Sequence, residues 1–305
     1  MKKNIVILSG GSSDEAKVSK VTSTEIAKTL NKDKYREYII DPNDYNSFVE
    51  LIEEIKQINP IIVFNGLHGA EGEDGRIQSL LSLENIPFTG SDHRSSTIAM
   101  DKHISGIIAS SLKIPIPDRI ILQINKKWIL PEKLKFPLIV KPNNSGSSVG
   151  ITFVKGKIEL DEAITLAFRY SNKVIVEEFI EGRELTVTIL GEKALPVVEI
   201  KPKDGWYNYN NKYSKGKTIY EVPAKLDTKE TFVIQDYALK VFNLFGCSVY
   251  GRVDFRYDGN NFYFLEVNTL PGMTPLSLTP MAAKEDGFNF ERLIEEIIKI
   301  SLQNY

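Results

Sequence analysis

The chain has 305 residues, 42% of them hydrophobic and 26% charged, with 38 Lys and Arg against 40 Asp and Glu. That length supports two or three ordinary domain cores, and a formal net charge of -2 excludes a global basic field for nucleic acid or an anionic membrane. One cysteine, Cys247, and three histidines leave no internal disulfide, weigh against a zinc cluster and point to a reduced cytoplasmic setting.

The opening MKKNIVILSGG carries too short an apolar run for a signal peptide and reads as a first buried strand. Short apolar strands then alternate with helical patterns. Strands are expected at Asn4 to Leu8, Tyr38 to Ile40 and Ile61 to Phe64, with helices from about Asp14 to Leu30 and near Phe48 to Gln57. This β-α-β-α-β order predicts a mostly parallel sheet whose ligand-bearing loops lie at the strand C-terminal ends. A second unit begins after Thr97: a helix from Asp101 to Leu112, strands at Arg119 to Gln123 and Leu138 to Lys141, a helix from Asp161 to Tyr170, and a strand from Lys173 to Glu177. The remainder is strand-rich around one helix, Thr231 to Leu244, stopped by Gly246. No segment approaches a membrane span.

Within that remainder, GRVDFRYDGNNFYFLEVN reads as a β-hairpin turning at DGNN. Alternation places Arg252 and Asp254 on one face of the first strand and Glu266 and Asn268 on one face of the second, leaving Val253, Phe255, Leu265 and Val267 opposite. An odd loop, such as Gly259 to Asn261, would bring Asp254 and Glu266 to the same face, and an odd loop is therefore expected. Two carboxylates and an amide oxygen on one face suit magnesium.

Other segments carry weaker signals. Ser12 and Glu15 of SGGSSDE match a capping box, in which Glu15 would bond its own helix; equally, Glu15 at a strand end could receive a substrate ammonium. NGLHGAEGEDGRIQ places four glycines around His68, which is assigned a substrate contact. In KPNNSGSSVG, Lys141 ends a strand before a loop of small residues including Ser147 and Ser148, a pattern able to surround phosphate oxygens, although a Gly/Ser turn serves as well. VIVEEFIEGRE ends a strand in acidic residues that could meet an adenine amino group and a ribose, or simply face solvent. WYNYNNKYSKGKT mixes aromatics with lysines, which fits a lid over an anionic ligand; the acidic balance disfavours the alternative of single-stranded nucleic acid.

Taken in order, GGSSDEAKVS, HGAEGEDG, MDK, IVKPNNSGSSVG, EEFIEGRE, KYS, GRVDF and LEVNTLPGMTPLSL make the sequence similar to the D-alanine:D-alanine ligases of the ATP-grasp superfamily. The resemblance implies an α/β chain, α+β in its C-terminal part, with an N-terminal mostly parallel-sheet domain (1–96) and two subdomains clasping ATP (97–180 and 181–305). It implies that Lys102 and Lys141 contact ATP phosphates, that Glu177, Glu184 and backbone near Ile180 hold adenine and ribose, and that two Mg2+ ions, replaceable by Mn2+, bridge ATP to Asp254, Glu266 and Asn268. It further implies that Glu15, held with Ser147 and Tyr213, takes the amine of the first D-alanine. Arg252 and the Gly272 N–H would stabilise the tetrahedral intermediate, and Lys212 and Ser277, with Leu278 alongside, would receive the second carboxylate. Ala16, Lys17 and Glu178 depart from the family pattern. Small-molecule substrates, a homodimer and peptidoglycan-precursor synthesis are expected, the alternative being another second substrate such as D-serine or D-lactate.

Overall fold

The computed structural model describes residues 1–146, 149–203 and 217–305. It contains three sheets. The first is built from β1 (Lys3–Leu8), α1 (Ala16–Thr29), β2 (Tyr35–Ile40), α2 (Phe48–Ile58) and β3 (Ile62–Asn65), with parallel order β2-β1-β3. Period-two alternation feeds two cores from one strand: Ile5 and Ile7 pack with α1 and the C-terminal helices, whereas Val6 and Leu8 pack with α2. All four are fully buried, and each such side chain stabilises by roughly 1.5–3 kcal/mol. The helix at α1 starts later than expected and without the capping box. Glu15 is its N-cap but makes no side-chain cap bond, and the Ser12 hydroxyl instead donates to Glu71.

Helices α3 (Ala70–Glu73), α4 (Arg76–Leu83), α5 (His93–Met100) and α6 (Lys102–Ser111) lead to the second sheet. There β4 (Arg119–Gln123), β5 (Leu138–Pro142), β6 (Thr152–Val154) and β7 (Lys173–Glu178) lie antiparallel in the order β4-β7-β5-β6. The covering helix α7 (Lys157–Ala167) begins directly after its N-cap Gly156, four residues ahead of the expected Asp161.

The third sheet runs β11-β10-β8-β12-β13, with β9 paired to β8. Its strands are β8 (Arg183–Leu190), β9 (Lys193–Ala194), β10 (Val198–Pro202), β11 (Thr218–Glu221), β12 (Tyr250–Tyr257) and β13 (Phe262–Asn268). The helix α8 (Thr228–Leu244) opens in a capping box of Asp227 and Glu230, which moves its start ahead of the expected Thr231. It closes as expected at Gly246: with φ +72, this glycine lets its own N–H reach the Asn243 carbonyl and that of Cys247 reach the Phe242 carbonyl. That glycine stop aims the chain into β12. Helices α9 (Leu278–Glu285) and α10 (Phe290–Leu302) return to pack on the first sheet's inner face. Among the described residues no helix is long and apolar enough to cross a membrane.

Candidate active site

A cleft opens between the second and third sheets. Its walls are apolar, from Ile139, Ile151, Phe179, Ile180 and Leu265, with Pro117 at one side. Its polar lining is charged: Lys102, Lys141, Glu177, Glu178, Glu184, Asp254, Arg256 and Glu266. A flat apolar slot beside a concentration of charge is what a planar, phosphorylated ligand requires.

The β12–β13 hairpin supplies the acidic floor, and its register corrects the expected turn. Tyr257 pairs with Phe262, so the loop Asp258 to Asn261 is even, not odd. A regular ladder would then place Asp254 across from Leu265. The register shifts between Asp254 and Phe255, so that Phe255 pairs with Phe264 and Asp254 with Glu266. Leu265 is the extra residue of a β-bulge. The bulge flips the phase of β13: Phe262 and Phe264 enter the core before it and Val267 after it, while Leu265 joins Glu266 on the cleft side instead of the core face expected for it. Arg252 pairs with Asn268 two rungs on, beyond Val253–Val267, and so on the same face.

Each acidic group on this floor already has a cation. The Arg252 Nε and Nη2 donate to the two Asp254 oxygens at 2.9 and 2.8 Å, and the Thr186 hydroxyl also donates to Asp254. The Lys102 ammonium lies 3.0 Å from Glu266 and donates to the Ser145 carbonyl at 2.7 Å. Lys141 donates to Glu177, whose second oxygen is buried without a hydrogen-bond partner. Exclusion of water pushes the Lys141 ammonium below its ordinary pKa, with Glu177 working against that shift and Arg119 adding to it. Asp254 and Glu266 on one rung and the Asn268 amide two rungs on, on the same face, present hard oxygen donors, a set that fits magnesium completed by water and phosphate oxygens. No group of three His, Cys, Asp or Glu able to hold a metal alone occurs among the described residues.

At the end of the cleft lined by Ile180 and Glu184, β7 turns into β8 around Gly182, whose φ of +130 and close approach to the Tyr257 carbonyl admit no side chain. Arg256 braces this turn. It donates from Nε to the Ile180 carbonyl at 3.0 Å and from Nη2 to the Gly182 carbonyl at 2.9 Å, and lies 3.5 Å from Glu184. Glu178 lines the cleft and accepts from the Asp118 N–H at 2.9 Å.

On the other side, the Glu15 carboxylate nestles between two glycines. A Cβ on Gly69 or Gly146 would fall 2.8 or 2.6 Å from its Oε2. Ala16 and Lys17 follow in the first turn of α1, with Lys17 exposed. The His68 ring is buried, its Nε2 3.0 Å from the Thr22 hydroxyl and its Nδ1 3.6 Å from Glu73. Ser277, at the N-cap of α9, interacts with Thr274 through its hydroxyl and lies against Gly272; Leu278 is buried. Ser147, Ser148, Lys212, Tyr213 and most of the expected lid lie outside the described residues.

Thus Lys102, Lys141, Glu177, Ile180, Glu184, Asp254 and Glu266 share one cleft, with Arg252 and Asn268 paired two rungs along the hairpin from Asp254 and Glu266. Sequence reasoning missed Arg256, although alternation along β12 places it on the face of Arg252 and Asp254. It also missed Thr186 and Arg119, for which no local pattern exists.

Residues 41–91 match the family model described as D-ala D-ala ligase N-terminus, and residues 110–299 match the D-ala D-ala ligase C-terminus. A protein named D-alanine--D-alanine ligase from Methylacidiphilum infernorum (isolate V4) is 43% identical over 300 residues, covering 98% of this chain and 95% of its own. The crystal structure of D-alanine--D-alanine ligase from Bacillus anthracis complexed with ATP superposes with a TM-score of 0.87 at 34% identity, covering 99% of this chain and 98% of that one. That of the VanG D-Ala:D-Ser ligase from Enterococcus faecalis gives 0.80 at 29% identity, with 99% and 100% covered.

Proposed function

Because the chain belongs to the D-alanine:D-alanine ligase family, we propose that it joins two D-alanines into D-alanyl-D-alanine with cleavage of ATP to ADP and phosphate, for peptidoglycan precursors. The observation that carries this reading is the single cleft in which Lys102 and Lys141 face the carboxylates of Asp254 and Glu266 beside an apolar slot. D-Serine or D-lactate as second substrate is the less favoured alternative.

A carboxylate resists amide formation because its leaving group would be oxide. In the first step a carboxylate oxygen of one D-alanine attacks the γ-phosphorus of ATP and ADP leaves, giving an acyl phosphate. In the second, the amine of the other D-alanine attacks the acyl carbon, loses a proton and expels phosphate. Lys102 and Lys141 neutralise the triphosphate, while Glu177, Glu184 and backbone near Ile180 hold adenine and ribose. Ser147 and Ser148 would bond phosphate oxygens.

Asp254, Glu266 and Asn268 would hold magnesium, which supplies further neutralisation of phosphate oxygens when bound. Incoming phosphates would give Lys102 and Arg252 new partners and leave the Asp254 and Glu266 oxygens available to the metal. Glu15, held with Ser147 and Tyr213, receives the first ammonium, and His68 lies on the same side. Arg252 and the Gly272 N–H stabilise the tetrahedral intermediate, and Lys212 and Ser277 receive the second carboxylate beside Leu278. The segment Trp206 to Thr218 excludes water from the acyl phosphate. Division at residues 96 and 180, a cytoplasmic location and a homodimer complete the proposal.

Phosphate release from ATP and magnesium, measured with D-alanine, L-alanine, D-serine and D-lactate, tests it. D-alanine alone should support sustained release, with the dipeptide as product. Faster release with D-lactate or D-serine would replace the assigned acceptor, and no release with any of them would sink the proposal.

A further inference from the structure

Arg119, on β4, takes no part in the chemistry above, yet its side chain is buried against the cleft's cationic wall. Its Nη1 donates to the Lys102 carbonyl at 3.1 Å, its Nε donates to the Pro117 carbonyl at 3.4 Å, and the same Nε lies 3.8 Å from the Glu177 carboxylate. Room for the guanidinium exists because α6 carries a glycine beneath it. A Cβ on Gly106 would fall 2.7 Å from Nη1 and 2.9 Å from Cζ. A buried guanidinium tied to two carbonyls cannot swing into solvent to relieve that contact.

Both Arg119 Nη2 and Glu177 Oε2 are buried without hydrogen-bond partners. Stability alone does not favour such an arrangement, since unsatisfied buried polar atoms are destabilising. The titratable groups facing Arg119 are Glu177 from β7, Lys141 from β5 and His103 from α6, while Lys102 meets it through its backbone carbonyl.

We propose that Arg119 is a positioning residue for the nucleotide: seated in the Gly106 notch, it fastens the start of α6 to the Glu177 carboxylate. It thereby fixes the spacing of Lys102 and Lys141. The inference rests on the nucleotide site proposed above and adds the device that aligns its two lysines. Because both lysines hold phosphates throughout turnover, misalignment acts on nucleotide binding more than on the chemical step.

The test is a double-mutant cycle in the full-length protein, reading KM for ATP, KM for D-alanine and kcat from phosphate release, with ADP affinity by calorimetry. R119M should raise KM for ATP and the ADP Kd about tenfold with KM for D-alanine unchanged, and R119K should restore part of the loss. G106A should act in the same direction in the wild-type background by displacing the guanidinium. In the R119M background it should be silent or raise the melting temperature, because the notch is then vacant and alanine favours helix. An unchanged ADP affinity in R119M, equal rises in both KM values, or an equal effect of G106A in the two backgrounds overturns the inference. Should R119M fail to fold, G106A and R119K decide it. Wild-type protein that binds ADP yet releases no phosphate refutes the proposed reaction and leaves the affinity arm of the cycle to judge Arg119; wild-type protein that binds no nucleotide overturns both.

Discussion

Asp254 stands directly across the hairpin from Glu266, although a ladder counted from the Tyr257–Phe262 rung would have set it across from Leu265. The bulge at Leu265 produces this pairing, and it does so where β13 must switch from burying Phe264 to presenting a carboxylate. The face proposed to hold the metal therefore arises from a local irregularity of the sheet, while the flanking rungs stay regular.

The same relationship gives Asp254 a structural part beside the metal role proposed for it. Its side chain is 12% exposed and that of Arg252 8%, and they share two hydrogen bonds. Removing one partner of a buried pair leaves the other charge uncompensated, so D254A should lose about 3–5 kcal/mol of stability together with turnover. D254N, which retains an acceptor oxygen, should lose turnover with a smaller stability cost. Urea unfolding and phosphate release check the pair of variants; wild-type-like activity in D254N would remove Asp254 from the metal set.

Lys141 gives a pH prediction. Burial lowers the pKa of its ammonium in the free protein, Glu177 opposing, so the proton leaves at a pH below the ordinary 10.5. Phosphate oxygens favour the charged form, so above the lowered pKa nucleotide binding must take up a proton. ADP affinity should accordingly fall as pH rises through that window, by up to about tenfold per pH unit. K141R, charged throughout, should flatten this limb. Calorimetry in buffers of different ionisation enthalpy measures the proton uptake, and a limb that persists in K141R would assign it elsewhere.

The fold was largely readable because its signals are local. Alternating Ile5 to Leu8, the Gly246 stop and the acidic ends of β7 and β13 each depend on a few neighbouring residues. The missed features depend on distant ones. The turn length suggested by Gly259 to Asn261 was outweighed by the core's demand for Phe262 and Phe264, which a bulge satisfies. Arg119 meets Lys102 and Glu177 only through tertiary packing across α6, and the Gly106 notch reads as an ordinary helix glycine. Ser12 matches a capping box by spacing, but Glu71 of α3 offers its hydroxyl a partner.

Cys247 offers a probe of the junction between α8 and β12. Burial pushes its thiol up to about 12, against 9.0 for a free thiol. At neutral pH the native protein should then hold about a thousandfold less thiolate than the unfolded chain and label correspondingly slowly with a thiol reagent. Labelling kinetics in increasing urea should report opening of this junction. Rapid labelling of the native protein would show that the Gly246 turn opens without unfolding.

Gly146 tests the assignment of Glu15 without touching the carboxylate itself. It is not among the positive-φ glycines, so alanine brings no left-handed backbone strain. The added Cβ would lie 2.6 Å from Glu15 Oε2, and the carboxylate has Gly69 on another side, where a Cβ would lie at 2.8 Å. Glu15 must therefore move away from its seat when Gly146 becomes alanine. If that seat receives the ammonium of the first D-alanine, G146A should raise KM for D-alanine about ten- to a hundredfold, as a displacement of an ångström does. ADP affinity should fall less than the D-alanine KM rises in G146A, whose residue belongs to the phosphate loop, and should stay unchanged in E15Q, which leaves that loop as it is. E15Q should reproduce the effect on D-alanine through loss of charge alone. Normal KM for D-alanine in both variants would place the substrate amine elsewhere in the cleft.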